Sequence, residues 1–174
     1  MGNNSSPMPR YYKKSPFSNK LSIHPQSESI SHITGEHKIW QGKMMHRIME
    51  QIITVNDIDR VLNNARYNGL ITDEEQNDLN QLIHSAIEQQ PHWFDGSHTV
   101  YAETPILSST ANYRPDRVMV LNGKATVIDY KFGETHTPAY EQQVLRYQHL
   151  LQQMGFKQTE AYLWYFNEPK GLVR

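Results

Sequence analysis

Apolar residues recur at three- and four-residue steps over much of the first half of the chain, which is the spacing of one face of a helix. The first such pattern covers residues 36 to about 54. A second is expected to begin after Asn56, a capping residue, and to end near Gly69. Thr72 and Glu75 have the spacing of a capping box and open a third. The sequence therefore predicts three helices before the first clear strand.

The second half of the chain carries strand patterns. Residues 99–107 are predicted to form a strand that contains Glu103, and Pro105 indicates an edge or a bend in it. Two β-branched runs follow, joined by Asn122 and Gly123, and this dipeptide is the strongest short-range signal for a hairpin. Three consecutive strands are therefore expected.

The predicted hairpin places two acidic residues face to face. With Asn122 and Gly123 as a two-residue loop, counting outward along both strands puts Asp116 directly opposite Asp129, where like charges are destabilising. Lys131 lies two residues beyond Asp129 and therefore on the same face of the strand. Two carboxylates and an ammonium group that converge in this way indicate a site for a divalent cation.

After the hairpin, the pattern returns to a helix and then to one more strand. Thr137 and Pro138 are predicted to be the N-cap and the first position of a helix that ends at Gly155. The apolar stripe of this helix consists of Tyr140, Val144, Tyr147, Leu151 and Met154. Residues 160–166 are rich in aromatic side chains, which predicts a strand buried on both faces. The expected fold is α/β, a central mixed β-sheet flanked by helices, with an N-terminal helical subregion.

The same patterns divide the chain into regions. Residues 1–33 are rich in Ser, Asn, Pro and Lys, and they are predicted to be a disordered arm or linker. Residues 34–174 are predicted to form one domain, with a helical part at 34–95 and a βββαβ core at 96–174. No internal repeat is evident in the sequence.

The composition excludes several kinds of functional site. The chain has 174 residues, no cysteine and a formal net charge of −1. Without cysteine it forms no disulfide, thiolate zinc site or cysteine-ligated iron–sulfur cluster, and it has no phosphate-binding loop for a nucleotide cofactor. A near-zero net charge predicts that any nucleic-acid-binding surface is local. The apolar runs are too short to span a membrane and no secretory signal is evident, so we expect a soluble cytoplasmic protein.

Two aspartates and a lysine on one strand face suit metal-assisted hydrolysis of a phosphodiester. Asp116 and Asp129 would provide hard oxygen ligands for Mg²⁺, with Mn²⁺ as a substitute. Lys131 would orient the attacking water or stabilise the negative charge that develops during attack. The alternative is a surface hairpin whose charged side chains are solvated or weakly paired.

Pro115 and Asp116, followed after twelve residues by Asp129, Tyr130 and Lys131, resemble the PD-(D/E)xK motif of a large nuclease superfamily. Within it, the chain most resembles the RecB-like nuclease domain, of the AddA type, at the C-terminal end of bacterial helicase–nucleases. The likeness covers roughly residues 35–166 and implies a restriction-endonuclease-like core. Further motifs of that family are matched, in order, by Gly42 with His46, Glu103, Asp116 with Arg117, and Gln143 with Tyr147.

The resemblance also implies which residues bind the metal. These are His46, Asp116 and Asp129, together with the backbone carbonyl of Tyr130. An imidazole nitrogen is an acceptable ligand for Mg²⁺ or Mn²⁺ when two carboxylates are already present.

The remaining matched residues are implied to support catalysis. Lys131 would assist the attack on the phosphate. Glu103 would hold a second metal or tune the site, while Gln143 and Tyr147 would face the substrate phosphate or order Lys131. As a lone helix residue, Tyr147 has the alternative role of an ordinary core residue.

The implied activity is Mg²⁺-dependent hydrolysis of DNA by a metal-activated water, exonucleolytic and linked to DNA repair and recombination. The implied partners are single- or double-stranded DNA ends and a helicase subunit or domain. The helicase portion and the cysteines of the iron–sulfur branches are missing, which favours the cluster-free branch. Two alternatives stay open: a catalytically silent nucleic-acid-binding or assembly module of a helicase–nuclease complex, and a nuclease for RNA or branched DNA.

Overall fold

The structure is a computed structural model of the chain. It describes residues 35–107, 112–132, 136–166 and 172–173, all of them within one compact unit, Thr34–Arg174. The predicted arm at 1–33 lies outside the described residues. None of the helices in the described ranges combines the length and the apolar character needed to cross a membrane.

Three helices come first, as the apolar spacing predicts. They are α1 (Gly35–Met49), α2 (Ile58–Tyr67) and α3 (Asp73–Ile87). The predicted capping box opens α3: the Thr72 hydroxyl accepts a hydrogen bond from the Glu75 amide at 3.2 Å, and the Glu75 carboxylate accepts one from the Thr72 amide at 2.8 Å. Both bonds satisfy amide groups that the first turn of a helix leaves without partners.

The first helix ends earlier than predicted, at Met49 rather than near Thr54. The carbonyl groups of Ile52 and Ile53 accept hydrogen bonds from the Arg117 guanidinium at 2.8 and 2.9 Å. Arg117 therefore holds these carbonyl groups in a connection that leads to α2. Arg117 lies more than sixty residues further along the chain. The spacing of apolar residues near α1 therefore could not indicate this contact.

Strands of two sheets follow the helices. The main sheet contains β1 (Thr99–Ala102), β4 (Arg117–Leu121), β5 (Lys124–Lys131), β6 (Gln158–Tyr165) and the two-residue β7 (Leu172–Val173), in the order β1-β4-β5-β6-β7. A separate small sheet pairs β2 (Ile106–Leu107) with β3 (Asn112–Tyr113). Strands β5 and β6 are parallel and are connected through α4 (Pro138–Gln153), whereas the other pairs are antiparallel. The predicted α/β class, with a mixed sheet, is confirmed.

The predicted strand at 99–107 is wrong as a single element. β1 ends at Ala102, and Glu103 has a φ of 49°, in the left-handed region, where the chain leaves the sheet before Pro105. Ile106 then joins the small sheet instead. Glu103 therefore lies just beyond the end of a strand rather than inside one, and Pro105 marks a bend.

The hairpin has the predicted register. The paired residues of β4 and β5 begin with Leu121 and Lys124 beside the turn, and the last pair of this ladder is Arg117 and Ile128. Asn122 and Gly123 have φ values of 49° and 79°, as a two-residue type I′ turn requires. Asp116 is the residue directly before this ladder, so it lies at the end of the sheet opposite the turn.

Alanine at two glycines is expected to change stability in opposite directions. Gly123 has a φ of 79°, and a methyl group there would meet no atom within 4 Å, so alanine should cost about 1 kcal/mol of backbone strain. Gly42 lies inside α1, where an added methyl also meets nothing within 4 Å, and alanine should stabilise by about 0.5–1 kcal/mol. Urea denaturation of Gly123→Ala and Gly42→Ala measures both effects, and changes of equal sign would contradict this reasoning.

Apolar cores lie on both faces of the sheet. On the side of α1, α2 and α3 the sheet contributes Met119, Ile128, Tyr130, Trp164 and, just past its strands, Phe132 and Phe166. On the side of α4 it contributes Val118, Ala125, Val127, Ala161, Leu163 and Tyr165. The aromatic strand β6 is thus buried on both faces, as predicted.

The fourth helix begins as expected, with Thr137 at the N-cap position and Pro138 in the first turn. Gly155, with a φ of 101°, follows its last turn. Within the predicted stripe, Val144, Tyr147 and Leu151 are buried. Met154 is 61 % exposed, so its assignment to the core face is wrong; it lies at the C-cap, past the last turn that packs on the sheet.

Candidate functional site

Asp116 lies at the centre of the candidate site and is only 9 % exposed. Its Oδ2 accepts a hydrogen bond from the backbone amide of Tyr130 at 2.7 Å and lies 3.3 Å from Nδ1 of His46. Its backbone carbonyl accepts a hydrogen bond from the Glu103 amide at 3.0 Å. Asp116 therefore connects β5, α1 and the end of β1.

Three side chains around this point form a candidate metal centre. One ligand atom each of His46, Glu103 and Asp116 lies within 4.8 Å of the others, the one such group found among the described residues. Two carboxylate oxygens and an imidazole nitrogen suit Mg²⁺ and, because of the nitrogen, Mn²⁺. The three residues lie in α1, in the turn after β1 and directly before β4.

This group differs from the predicted ligand set in one member. The sequence predicts His46, Asp116 and Asp129 as side-chain ligands, whereas the structure groups His46 and Asp116 with Glu103. The strand break at Glu103 is the physical reason, because it turns this residue toward Asp116 at the end of the sheet.

Arg114 orients Glu103 and is a residue that the sequence analysis missed. Its Nε donates to the Glu103 backbone carbonyl at 2.8 Å and lies 2.7 Å from Oε2 of the Glu103 side chain. Burial and the negative charge of Asp116 raise the pKa of Glu103, while Arg114 opposes this rise. With Glu103 expected inside a strand, no spacing in the sequence indicated the contact.

Asp129 and Lys131 form a buried pair, 3 % and 6 % exposed, on the face of β5 that α4 covers. Asp129 Oδ2 lies 2.6 Å from Lys131 Nζ, so the two side chains form a buried ion pair. Burial, followed by the negative charge of Asp116, raises the pKa of Asp129 to about 6, although Lys131 and His46 oppose the rise. The lysine partner offsets part of the cost of burying this carboxylate, and its negative charge reaches the candidate metal centre, where it helps to raise the pKa of His46.

Tyr130 presents its backbone, and not its side chain, to the site. Its ring is buried in the core on the side of α1, and this burial raises the pKa of the hydroxyl to about 12. Its amide donates to Asp116, whereas the next carbonyl, of Lys131, accepts from Phe166 in the direction of β6. In a strand, the N–H and C=O groups of one residue point to the same side of the strand. The Tyr130 carbonyl therefore points, like the Tyr130 amide, to the side on which Asp116 lies. A Tyr130 carbonyl that binds the metal, as predicted, requires this direction.

His46 completes the site from the helical side. It lies one turn after Gly42 in α1, and its ring packs edge-on against Phe132 with centroids 5.0 Å apart. Burial lowers the pKa of His46, but the hydrogen bond to Asp116 and the negative charges of Asp116 and Asp129 outweigh this effect and raise it. A protonated His46 and a divalent cation would therefore compete for the same carboxylates.

The predicted residues of α4 border the site. Gln143 donates a hydrogen bond to the Tyr147 hydroxyl at 2.8 Å. Burial raises the pKa of Tyr147, and the hydrogen bond from Gln143 lowers it. The negative charges of nearby carboxylates, mainly that of Asp129, raise the pKa of Tyr147 further. The ring of Tyr140 lies 4.0 Å from Lys131 Nζ, a cation–π contact that the apolar stripe of α4 did not predict.

Thermal unfolding in EDTA is expected to show a loss of stability as the pH rises from about 4 to beyond 6. The pKa of Asp129 is 3.8 in the unfolded chain and about 6 in the folded protein, so its protonation favours folding below pH 4 and this gain is lost as the pH passes 6. The difference corresponds to at most about 3 kcal/mol. The raised pKa of Glu103 acts in the same direction, as does that of His46 at higher pH.

Asp129→Asn provides the check on this assignment. Asparagine cannot ionise, so the variant should lose most of the decline between pH 4 and 6 while keeping the decline at higher pH. A variant profile parallel to that of the unmodified protein would show that Asp129 is not the group responsible.

Comparison with known proteins adds no relative: neither the family models nor the curated proteins that were searched match the chain. The assignment of a function therefore rests on the geometry of the site and on the motif resemblance.

Proposed function

We propose that the chain is a Mg²⁺-dependent DNA nuclease with a restriction-endonuclease-like core of the PD-(D/E)xK type. The observation that carries this proposal is the meeting of His46, Glu103 and Asp116 at one end of the hairpin, next to a buried carboxylate–ammonium pair. The three metal-centre residues come from separate elements of the fold and are partly buried, whereas the charged side chains of a surface hairpin would be solvated.

The site has suitable ligands for a divalent cation. His46, Glu103 and Asp116 would hold it, with Asp129 joining through a carboxylate oxygen and Tyr130 through its carbonyl. When bound, the cation would supply positive charge to the scissile phosphate and increase the acidity of the attacking water.

Lys131 would act directly on the substrate. Asp129 and the Tyr140 ring hold its ammonium group, so the positive charge is in place before the reaction starts. A charge fixed in this way stabilises the negative charge that develops on the phosphate oxygens, and it can orient the water. The Tyr147 hydroxyl, which accepts a hydrogen bond from Gln143, would donate its own proton in a hydrogen bond to a phosphate oxygen.

The surroundings of the site support a nucleic acid as substrate. Arg114 beside Glu103 is exposed, and so is Arg146 in α4, whose guanidinium lies 6.0 Å from the Tyr113 ring. The Tyr113 ring is in turn 6.4 Å from that of Tyr147. Exposed arginines and a tyrosine next to the carboxylates form a local surface for phosphates and bases, despite a net charge of −1.

The motif resemblance supports the finer parts of the proposal. We infer that DNA ends are the substrate, that cleavage is exonucleolytic and that a helicase subunit or domain presents the DNA. These inferences connect the activity with DNA repair and recombination.

A cleavage assay tests the proposal. The purified protein would be incubated with linear and circular DNA in Mg²⁺, with and without excess EDTA, beside Asp129→Ala, Lys131→Ala and, as a control for an exposed lysine, Lys157→Ala. We expect degradation of linear DNA only, a loss of at least about 100-fold in the first two variants and little change in the third. Activity that persists in EDTA or in both site variants would refute the proposal, and DNA binding without cleavage would instead favour a non-catalytic module.

A further inference from the structure

A cavity lies near the turn of the hairpin, at the other end of the strands from Asp116. Its volume is about 570 Å³, which is in the range of small-molecule sites. It opens between the segment 90–98 and the sheet, and its aromatic and polar floor includes Trp93, Thr126 and Tyr162. The rings of Trp93 and Tyr162 lie 5.1 Å apart at an angle of 52°.

This cavity is separate from the candidate metal centre. Leu121, the last residue of β4, lines it, whereas Asp116 precedes the first residue of the same strand. Five residues of extended strand span about 17 Å. A ligand in the cavity therefore does not contact the residues proposed for cleavage.

Carboxylates outnumber ammonium groups among the residues that line the cavity. Asp95 and Glu160 face a single lysine, Lys124, whose ammonium is already 2.7 Å from the Glu160 carboxylate. The hydrogen bonds from Ser97 lower the pKa of Asp95. Burial lowers the pKa of His98, so that histidine is neutral near pH 7.

Two classes of ligand do not suit this arrangement. An anion such as a phosphate would meet an excess of carboxylate and a lysine that is already paired. A bare metal ion would require three ligand atoms close together, and the described residues provide such a group only at the candidate metal centre.

We propose that the cavity binds the guanidinium or ammonium group of an organic cation, with Asp95 as its counter-ion and the half-buried Tyr162 ring, packed on the buried Trp93, as its apolar surface. Aromatic rings attract such cations through their faces, and a carboxylate at the rim supplies the opposite charge. Two kinds of ligand carry such a group: a free small molecule, and a peptide with an arginine or lysine side chain.

Calorimetric titration of the full chain with four probes tests the proposal. The probes are agmatine, an arginine-containing tripeptide amide, its neutral citrulline counterpart and adenosine monophosphate. We expect agmatine, the arginine peptide or both to bind, and the citrulline peptide and the nucleotide to bind at least about fivefold more weakly, corresponding to about 1 kcal/mol. Stronger binding of agmatine indicates the free source, and stronger binding of the peptide indicates the side-chain source.

Variants locate the binding. Asp95→Asn keeps the oxygen that accepts the Ser97 amide bond at 2.8 Å but removes the charge, and it should weaken the binding of the cationic probe about three- to fivefold. Asp78→Asn, an exposed change in α3, should have no effect. Equal binding of the neutral and cationic peptides, preference for the nucleotide, or an unaffected Asp95→Asn would overturn the proposal, as would the absence of binding by both cations.

Discussion

Asp116→Asn is expected to abolish both DNA cleavage and the stabilisation of the protein by Mn²⁺ or Mg²⁺. Asparagine keeps an oxygen that can accept the amide hydrogen bond of Tyr130, so the hairpin end should hold its shape. It removes the negative charge that faces His46 at 3.3 Å and that a divalent cation would share with Glu103. We expect cleavage to fall by about 10²–10³-fold, the size typical of lost electrostatic stabilisation at an active site.

Thermal unfolding provides a measurement that does not depend on cleavage. A cation present at about 100 times its dissociation constant stabilises a folded protein by about 2.7 kcal/mol, which corresponds to about 5–10 °C for a domain of this size. The unmodified protein should show this shift between EDTA and Mn²⁺ near pH 8, and a smaller one near pH 5, where protons compete for the raised-pKa groups His46 and Asp129.

Asp78→Asn serves as the matched control, because it makes the same chemical change on the exposed side of α3. It should retain the full shift, whereas Asp116→Asn should lose it. If Asp116→Asn were stabilised by Mn²⁺ as strongly as the control, the metal centre would have to lie elsewhere.

Arg117→Met is expected to cause a large loss of stability. Arg117 is 1 % exposed, its guanidinium lies 4.2 Å from the Phe94 ring centroid, and it donates to three carbonyl groups at 2.8–2.9 Å. These carbonyls belong to Ile52, Ile53 and Trp93. Methionine fills similar volume but leaves all three without a partner, so we expect a loss of about 3–5 kcal/mol in the free energy of unfolding.

Two further variants make this prediction sharper. Arg60→Met removes an exposed arginine that pairs with Asp57 at 2.7 Å, and it should cost less than about 1 kcal/mol. Arg117→Lys keeps the charge but reaches fewer carbonyl groups, so it should fall between the two and remain measurable if Arg117→Met does not fold. A loss of under about 1 kcal/mol in urea denaturation of Arg117→Met would show that water can replace the guanidinium.

The parts of the fold that follow from short-range chemistry were predictable. Asn122 and Gly123 adopt positive φ values readily, and the two-residue turn that they form fits the observed register of the hairpin. Thr72 and Glu75 bond each other across three residues, and Pro138 starts a helix because its ring already holds the helical φ.

The members of the candidate site were predictable as residues, but their arrangement was not. His46, Asp116, Asp129 and Lys131 stand in recognisable motifs, yet the place of Glu103 depends on a break in its strand that the alternation of polar and apolar residues does not encode. The contact of Arg114 with Glu103 joins residues on different elements, as does that of Tyr140 with Lys131, and no local spacing reports them.

The sequence by itself therefore determined the helices, the hairpin and its register, and the charged residues that the register brings to one end of the sheet. Only the tertiary structure decided that Glu103 joins His46 and Asp116, that Asp129 pairs with Lys131, and that Arg117 bonds the carbonyl groups of the connection after the first helix. The physical reason is range: propensity, capping and turn geometry act over a few residues, whereas burial and charge pairing join groups that the chain brings together only when it folds.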